Sequence, residues 1–149
     1  MPDDITRHLA SLSEEVITQN MMSWEQVISQ IETMIEKGSS RYWTSARLDF
    51  IRALAVTKES RLFRAGLSRV YLTISTSQKF GLARGDFFLR LIWNEKNIPV
   101  LEYCRFGKTT HQSYPLNTFD DPLFLMLPFF KRLWYDFLRK QGKDQQQAT

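Results

Sequence analysis

Three arginines lie close together in the segment SRLFRAGLSRVYLTISTS, residues 60–77. Arginines beside a glycine and a run of hydroxyls are residue types that can cradle a phosphate or a nucleic acid. The nucleotide-binding pattern GxxxxGK[ST] is absent from the sequence. On a regular strand the odd spacing separates Arg61 from Arg64, and Arg64 from Arg69, onto opposite faces. The guanidinium groups therefore converge only if Gly66 interrupts the strand as a bulge, and otherwise they form a charged strand edge.

The inventory of catalytic residues is small. The chain has two histidines, His8 and His111, and one cysteine, Cys104. Cys104 and His111 could meet in space, but no nucleophile elbow or protease context surrounds either of them. Metal-binding spacings such as HExxH and CxxC do not occur, so we expect no metal or other cofactor. A small enzyme centred on His111 is the third functional hypothesis.

Composition favours a globular protein without a membrane span. The 149 residues fit one domain, residues 1–149, and 43% of them are hydrophobic, which is enough for a packed core. No stretch approaches the roughly 18 consecutive apolar residues of a membrane helix, and the acidic start MPDDITRHLA does not resemble a signal peptide. With a single thiol, the chain suits a reducing compartment, and we expect a cytoplasmic location.

Charge is distributed unevenly along the chain. Residues 1–60 carry a net charge of −3, and residues 61–149 carry +7. A basic half can bind nucleic acid or an acidic partner. It can also pair with the acidic helices of its own chain, so the asymmetry alone does not decide the function.

Helical periodicity covers the N-terminal part, about residues 4–57. The first predicted helix has Ile5, Leu9, Leu12 and Val16 on one face. A second helix is predicted to begin at Ser23, because SWEQ has the form of a capping box, and to end at Gly38. A third is predicted over about 42–56.

Strand patterns follow over about residues 61–116. In RVYLTIST apolar and polar residues alternate, which predicts a strand. LFRA before it is predicted as a separate short strand, and residues 107–116 as a further one. Residues 86–106 form the clearest hairpin, with NEKN (94–97) as a four-residue loop.

The hairpin register predicts two different faces. If Trp93 faces Ile98, then Leu89 faces Glu102, and Cys104 lies on the core face. The second face then carries Arg90, Tyr103 and Arg105 and is partly covered, with Asp86 opposite Arg105. We expect this face, together with the clustered arginines, to bind a partner: Arg61, Arg64, Arg69, Arg90, Tyr103 and Arg105.

A C-terminal helix is predicted over about 120–141. Asp120–Asp121 before Pro122 is typical of a helix start, so these carboxylates are read as caps. Pro128 is expected to kink or restart the helix. Gly142 is expected to end it, leaving 142–149 as a frayed tail.

Helices, then strands, then a helix indicate an α+β fold. We expect an antiparallel meander of about three to five strands, with N-terminal helices and a C-terminal helix packed on it. The leading functional hypothesis is a non-enzymatic protein-binding module of the inhibitor, immunity or adaptor type. The alternative is a nucleic-acid-binding protein that uses the basic C-terminal two-thirds of the chain. If the protein forms a homodimer, we expect the aromatic helix 122–138 to supply the interface.

Overall fold

The α+β prediction is confirmed by the computed structural model, which describes residues 4–76, 85–108, 111–117 and 120–148, with side chains only up to residue 142 in the last range. The helices are α1 (Asp4–Ser11), α2 (Glu14–Lys37), α3 (Ser45–Ala55) and α4 (Pro122–Ala148). A 3₁₀ turn covers Glu59–Leu62. The strands are β1 (Arg64–Ser68), β2 (Tyr71–Ser75), β3 (Phe87–Trp93), β4 (Pro99–Arg105) and β5 (Gln112–Pro115). None of the helices within the described ranges has the length and apolarity needed to cross a bilayer.

The strands form an antiparallel meander in the order β1-β2-β3-β4-β5. Side chains alternate between two faces along each strand. One face carries Leu72, Leu91 and Leu101 in one row across the sheet, and all three are fully buried. They join a core that includes Met126 and Phe130 of α4, so this is the core face of the sheet.

The start of α2 differs from the prediction. The helix begins at Glu14, where Ser13 accepts a hydrogen bond from the Val16 amide, and SWEQ lies inside it. The Ser23 hydroxyl is buried and accepts a hydrogen bond from the Ala65 amide of β1 at 2.9 Å. It therefore connects α2 to the sheet and does not cap a helix. The predicted end is confirmed, since Gly38 takes a left-handed φ of 64°.

The first hairpin contains no bulge. Gly66 pairs with Thr73 in an unbroken ladder from Arg64 to Ser68, so the predicted interruption is wrong. The chain reverses after Ser68, and Arg69 has a left-handed φ of 56°. Arg69 thus lies in the β1–β2 turn and not on a strand. Leu62, predicted within a strand, ends the 3₁₀ turn instead.

The second hairpin is shifted by one residue from the predicted register. Asn94 exchanges backbone and side-chain hydrogen bonds with Ile98, so the loop has one residue more than NEKN. Trp93 therefore pairs with Pro99, and every β4 side chain changes face. Tyr103 lies on the core face, and Cys104 lies on the opposite face.

The same register moves Asp86 away from its predicted place opposite Arg105. The Asp86 carbonyl accepts from the Phe106 amide, and Arg105 pairs with Phe87. The Asp86 carboxylate accepts a hydrogen bond from the Lys140 ammonium of α4 at 2.6 Å.

Helix α4 begins as predicted, because the Asp121 carboxylate accepts from the Leu123 amide and Pro122 is the first helical residue. Its end is not as predicted. The helix runs through Pro128 without restarting and continues past Gly142 to Ala148, so the predicted end at Gly142 is wrong. A glycine ends a helix by taking a left-handed φ, and Gly142 has no such φ.

Candidate binding groove

A groove lies between α2 and the face of the sheet opposite the core face. Ser23 fixes α2 along the edge of β1 through the Ala65 amide, and Trp24 adds bonds from its indole to the Ser60 and Phe63 carbonyls. The groove has a volume of about 920 Å³. We call it the α2 groove, and its main lining residues are Gln26, Gln30, Arg64, Gly66, Arg69, Tyr71, Thr73, Phe88, Arg90 and Phe106.

Arginines from three separate elements line the α2 groove. Arg64 comes from β1, Arg69 from the β1–β2 turn and Arg90 from β3. The groove floor explains the convergence, because Gly66 pairs with Thr73 and Thr73 pairs with Arg90 in one row across the sheet. Among the described residues that line the groove there is no Asp or Glu. The formal charges of the described lining are therefore all positive, and Glu102 pairs with Arg90 just outside it.

Arg90 is held in place by two neighbours on the same face. Its guanidinium lies over the Tyr71 ring, 4.6 Å from the centroid, and donates to the Glu102 carboxylate at 2.9 Å. Burial lowers the pKa of Arg90, but the hydrogen bond that it donates to Glu102, together with nearby charges, outweighs burial and raises the pKa above its ordinary value. The charge of Arg90 is thus permanent and its position is fixed.

Glu102 also contacts His111, the residue at the centre of the enzyme hypothesis. The His111 ring nitrogen Nε2 pairs with the Glu102 carboxylate, which is only 7% exposed. Cys104 is on the same face, two residues further along β4. Burial raises the pKa of the Cys104 thiol to about 11, so the thiol is protonated near neutral pH and is a weak nucleophile. Within the described ranges, no three His, Cys, Asp or Glu side chains gather as metal ligands would.

The structure places the other three predicted binding residues outside the α2 groove. Tyr103 is on the core face and 5% exposed, where its hydroxyl donates to Asp136 of α4. Burial first, and then this contact, raise the pKa of Tyr103. Arg105 is exposed at the end of β4 and donates to the Gly85 carbonyl. Arg61 is exposed in the 3₁₀ turn.

The helical wall of the groove was not predicted from the sequence. Gln26 and Gln30 are one turn apart on α2 and exposed. A signal for them was present, because they flank the buried stripe of Trp24, Val27 and Ile31. That signal identifies polar positions beside a core, and it does not tell which strand lies next to them.

Three basic residues of α4 contact neighbours on the core side of the sheet, away from the groove. Arg132 covers the Tyr103 ring at 3.9 Å, Arg139 pairs with Asp136 and Lys140 pairs with Asp86. The basic half of the chain is thus divided between two sides of the molecule.

The aromatic stripe of α4 is mostly core. Phe130, Leu133 and Trp134 are at most 3% exposed, whereas Phe124 and Tyr135 are 70% and 43% exposed. Two exposed aromatic side chains are therefore available to a homodimer through this helix, and the rest of the stripe is buried or partly buried.

Comparison of the chain with protein-family models, with curated proteins and with solved structures finds no significant match.

Proposed function

We propose that this protein is a protein-binding module whose α2 groove receives an acidic part of a partner protein. One observation carries the proposal: Arg64, Arg69 and Arg90 reach the same cavity from three different elements. Arginine pairs with carboxylates through two parallel hydrogen bonds, which gives both affinity and orientation. The described lining contains no carboxylate, so the cavity fits an acidic ligand, which would meet Arg64 and Arg69 because Arg90 already donates to Glu102.

A protein partner fits the groove better than a nucleic acid does. Non-specific nucleic-acid binding uses a continuous basic track with exposed aromatic rings for base stacking. Three α4 cations, Arg132, Arg139 and Lys140, are on the other side of the sheet and engaged with their own neighbours. In the groove, Arg90 already covers the Tyr71 ring, which reduces the stacking surface.

The proposal is tested by native pull-down of the tagged protein from the lysate of its own cells, with and without nuclease. Arg64→Glu and Arg69→Glu are compared with Lys131→Glu, which makes the same charge change on exposed α4. We expect one stoichiometric partner that survives nuclease, is lost with both groove variants and is retained by Lys131→Glu.

Two results would contradict the proposal. Equal loss of the partner with all three variants would show a dependence on net charge and not on the groove. Co-purifying nucleic acid, with partners released by nuclease and affinity falling steeply with salt, would support the nucleic-acid hypothesis instead.

A further inference from the structure

The α2 groove continues along the helix beyond its main cavity. A second cavity of about 460 Å³ shares Gln30, Leu67 and Arg69 with the first and extends to Met34. From Ser23 to Met34 the helix rises about 16 Å at 1.5 Å per residue. The combined site is therefore elongated and follows the α2–β1 boundary.

We infer that this elongated groove binds an extended peptide segment of about five residues that carries two carboxylate side chains four residues apart. At roughly 3.3 Å per residue, five extended residues cover the same length as the helix from Ser23 to Met34. The inference rests on the proposed function and specifies the shape and charge pattern of the partner's binding segment.

The carboxylate spacing follows from the arginines at the two ends of β1. Arg64 begins β1 and Arg69 follows its last residue. Strand β1 covers about 13 Å from Arg64 to Ser68, and Arg69 follows one residue later in the turn, so the Cα atoms of the two arginines are roughly 13–17 Å apart. In an extended peptide the side chains at positions i and i+4 point to the same side and are about 13 Å apart, and the length of the arginine side chains covers the difference. One carboxylate can therefore meet each arginine without bending the peptide.

The space between the two arginines suits an extended backbone. Gly66 has no side chain, and a Cβ added to it would meet no atom within 4 Å, so a peptide can approach the sheet closely. Gln26 and Gln30 on the opposite wall offer amides that both donate to and accept from a peptide backbone.

The peptide does not bind by adding a strand beside Ala65. The Ala65 amide already donates to Ser23, so this point of the β1 edge is occupied by α2. The peptide is therefore recognised through its side chains and not through a β-ladder, so the spacing of its carboxylates determines how well it binds.

The test is an NMR titration of the ¹⁵N-labelled full chain with two nonapeptides of identical composition. GSESGSESG has its glutamates at i and i+4, on one side of an extended chain, and GSESGESSG has them at i and i+3, on opposite sides. We expect the first to shift the amide signals of Gly66, Ser68 and Thr73 and to bind about tenfold more tightly, the effect of losing one charged contact. Arg69→Glu should abolish the difference, and Lys131→Glu should keep it.

Three outcomes would overturn the inference: equal affinity for the two peptides, no groove shifts at millimolar peptide, or tighter binding of a nine-residue oligothymidylate. These results are separable from failure of the proposed function. If the peptides fail while the groove variants still lose the partner in pull-downs, the partner binds as a folded surface and the proposed function stands.

Discussion

Gly66 allows folding and binding to be separated by one substitution. It lies at the centre of the groove floor, and its backbone has no positive φ. A glycine in a strand costs stability because it adds unfolded-state entropy and buries no side chain. Nothing within 4 Å obstructs a new Cβ. A side chain at this position therefore enters the groove and not the core.

We expect Gly66→Tyr to raise the free energy of unfolding by about 0.5–1 kcal/mol, the usual penalty of a strand glycine. The new ring would cover the paired residue Thr73 and point toward Arg90, which is two strands away at about 10 Å. A ligand would then lose at least one charge-assisted contact, worth about 1.5–3 kcal/mol. The affinity should fall by about ten- to a hundredfold.

The assay pairs urea unfolding with titration of the partner, or of the peptide with glutamates at i and i+4. Gly66→Ala is the matched control, because it removes the glycine penalty without filling the groove, and it should keep most of the affinity. The reasoning is refuted if Gly66→Tyr unfolds the protein, since the site would then not be open. It is equally refuted if Gly66→Tyr is stable and binds with unchanged affinity.

Three further perturbations test other parts of the structure. Burial raises the pKa of the Cys104 thiol from 9.0 to about 11. Alkylation of this thiol near neutral pH should therefore be at least about a hundredfold slower in the native chain than in the urea-unfolded chain. Equal rates would contradict the buried placement of Cys104. The raised pKa of Tyr103 means that the folded state keeps a proton that the unfolded state releases, so stability is lost as the pH rises above about 10, by roughly 1.4 kcal/mol per pH unit. The pKa values of Cys104 and Tyr42 are raised as well, so urea unfolding of Tyr103→Phe should show a shallower slope than the parent. An unchanged slope would assign the pH dependence to those other groups. Arg69→Gly should relieve the backbone strain of the left-handed φ of 56° and stabilise the protein by about 1 kcal/mol. The same variant should bind the ligand about tenfold more weakly. A variant that binds as well as the parent would show that Arg69 is not part of the site.

Features that depend on neighbouring residues could be predicted from the sequence. Alternation around Leu72 and Ile74 predicted β2, and Gly38 and Asp121 marked helix ends correctly, because each signal acts within one turn or one strand. The capping box at Ser23 was equally local, but its hydroxyl bonds to Ala65, which is 42 residues away. A tertiary contact thus replaced the local one, and the helix began earlier.

The site itself depends on how strands lie side by side. One extra loop residue at Ile98 exchanged Tyr103 and Cys104 between faces, because side chains on a strand alternate with a period of two. Likewise Arg64 and Arg90 are 26 positions apart, and only the pairing through Thr73 brings β3 next to the floor of the groove. Composition and spacing identified the arginines, but they could not specify which of them share a surface.

The β1–β2 turn links the fold to the proposed binding. Tight hairpin turns favour Gly, Asn or Asp where φ is positive, because other side chains clash with the backbone there. This turn carries an arginine at a φ of 56°, so local stability does not account for the residue type. The same arginine is shared by both cavities of the elongated groove. Positions that break a local rule are expected at functional sites. Arg69 combines such a break with a positive charge at the point that both cavities share. It is therefore the residue on which the proposed carboxylate recognition most depends.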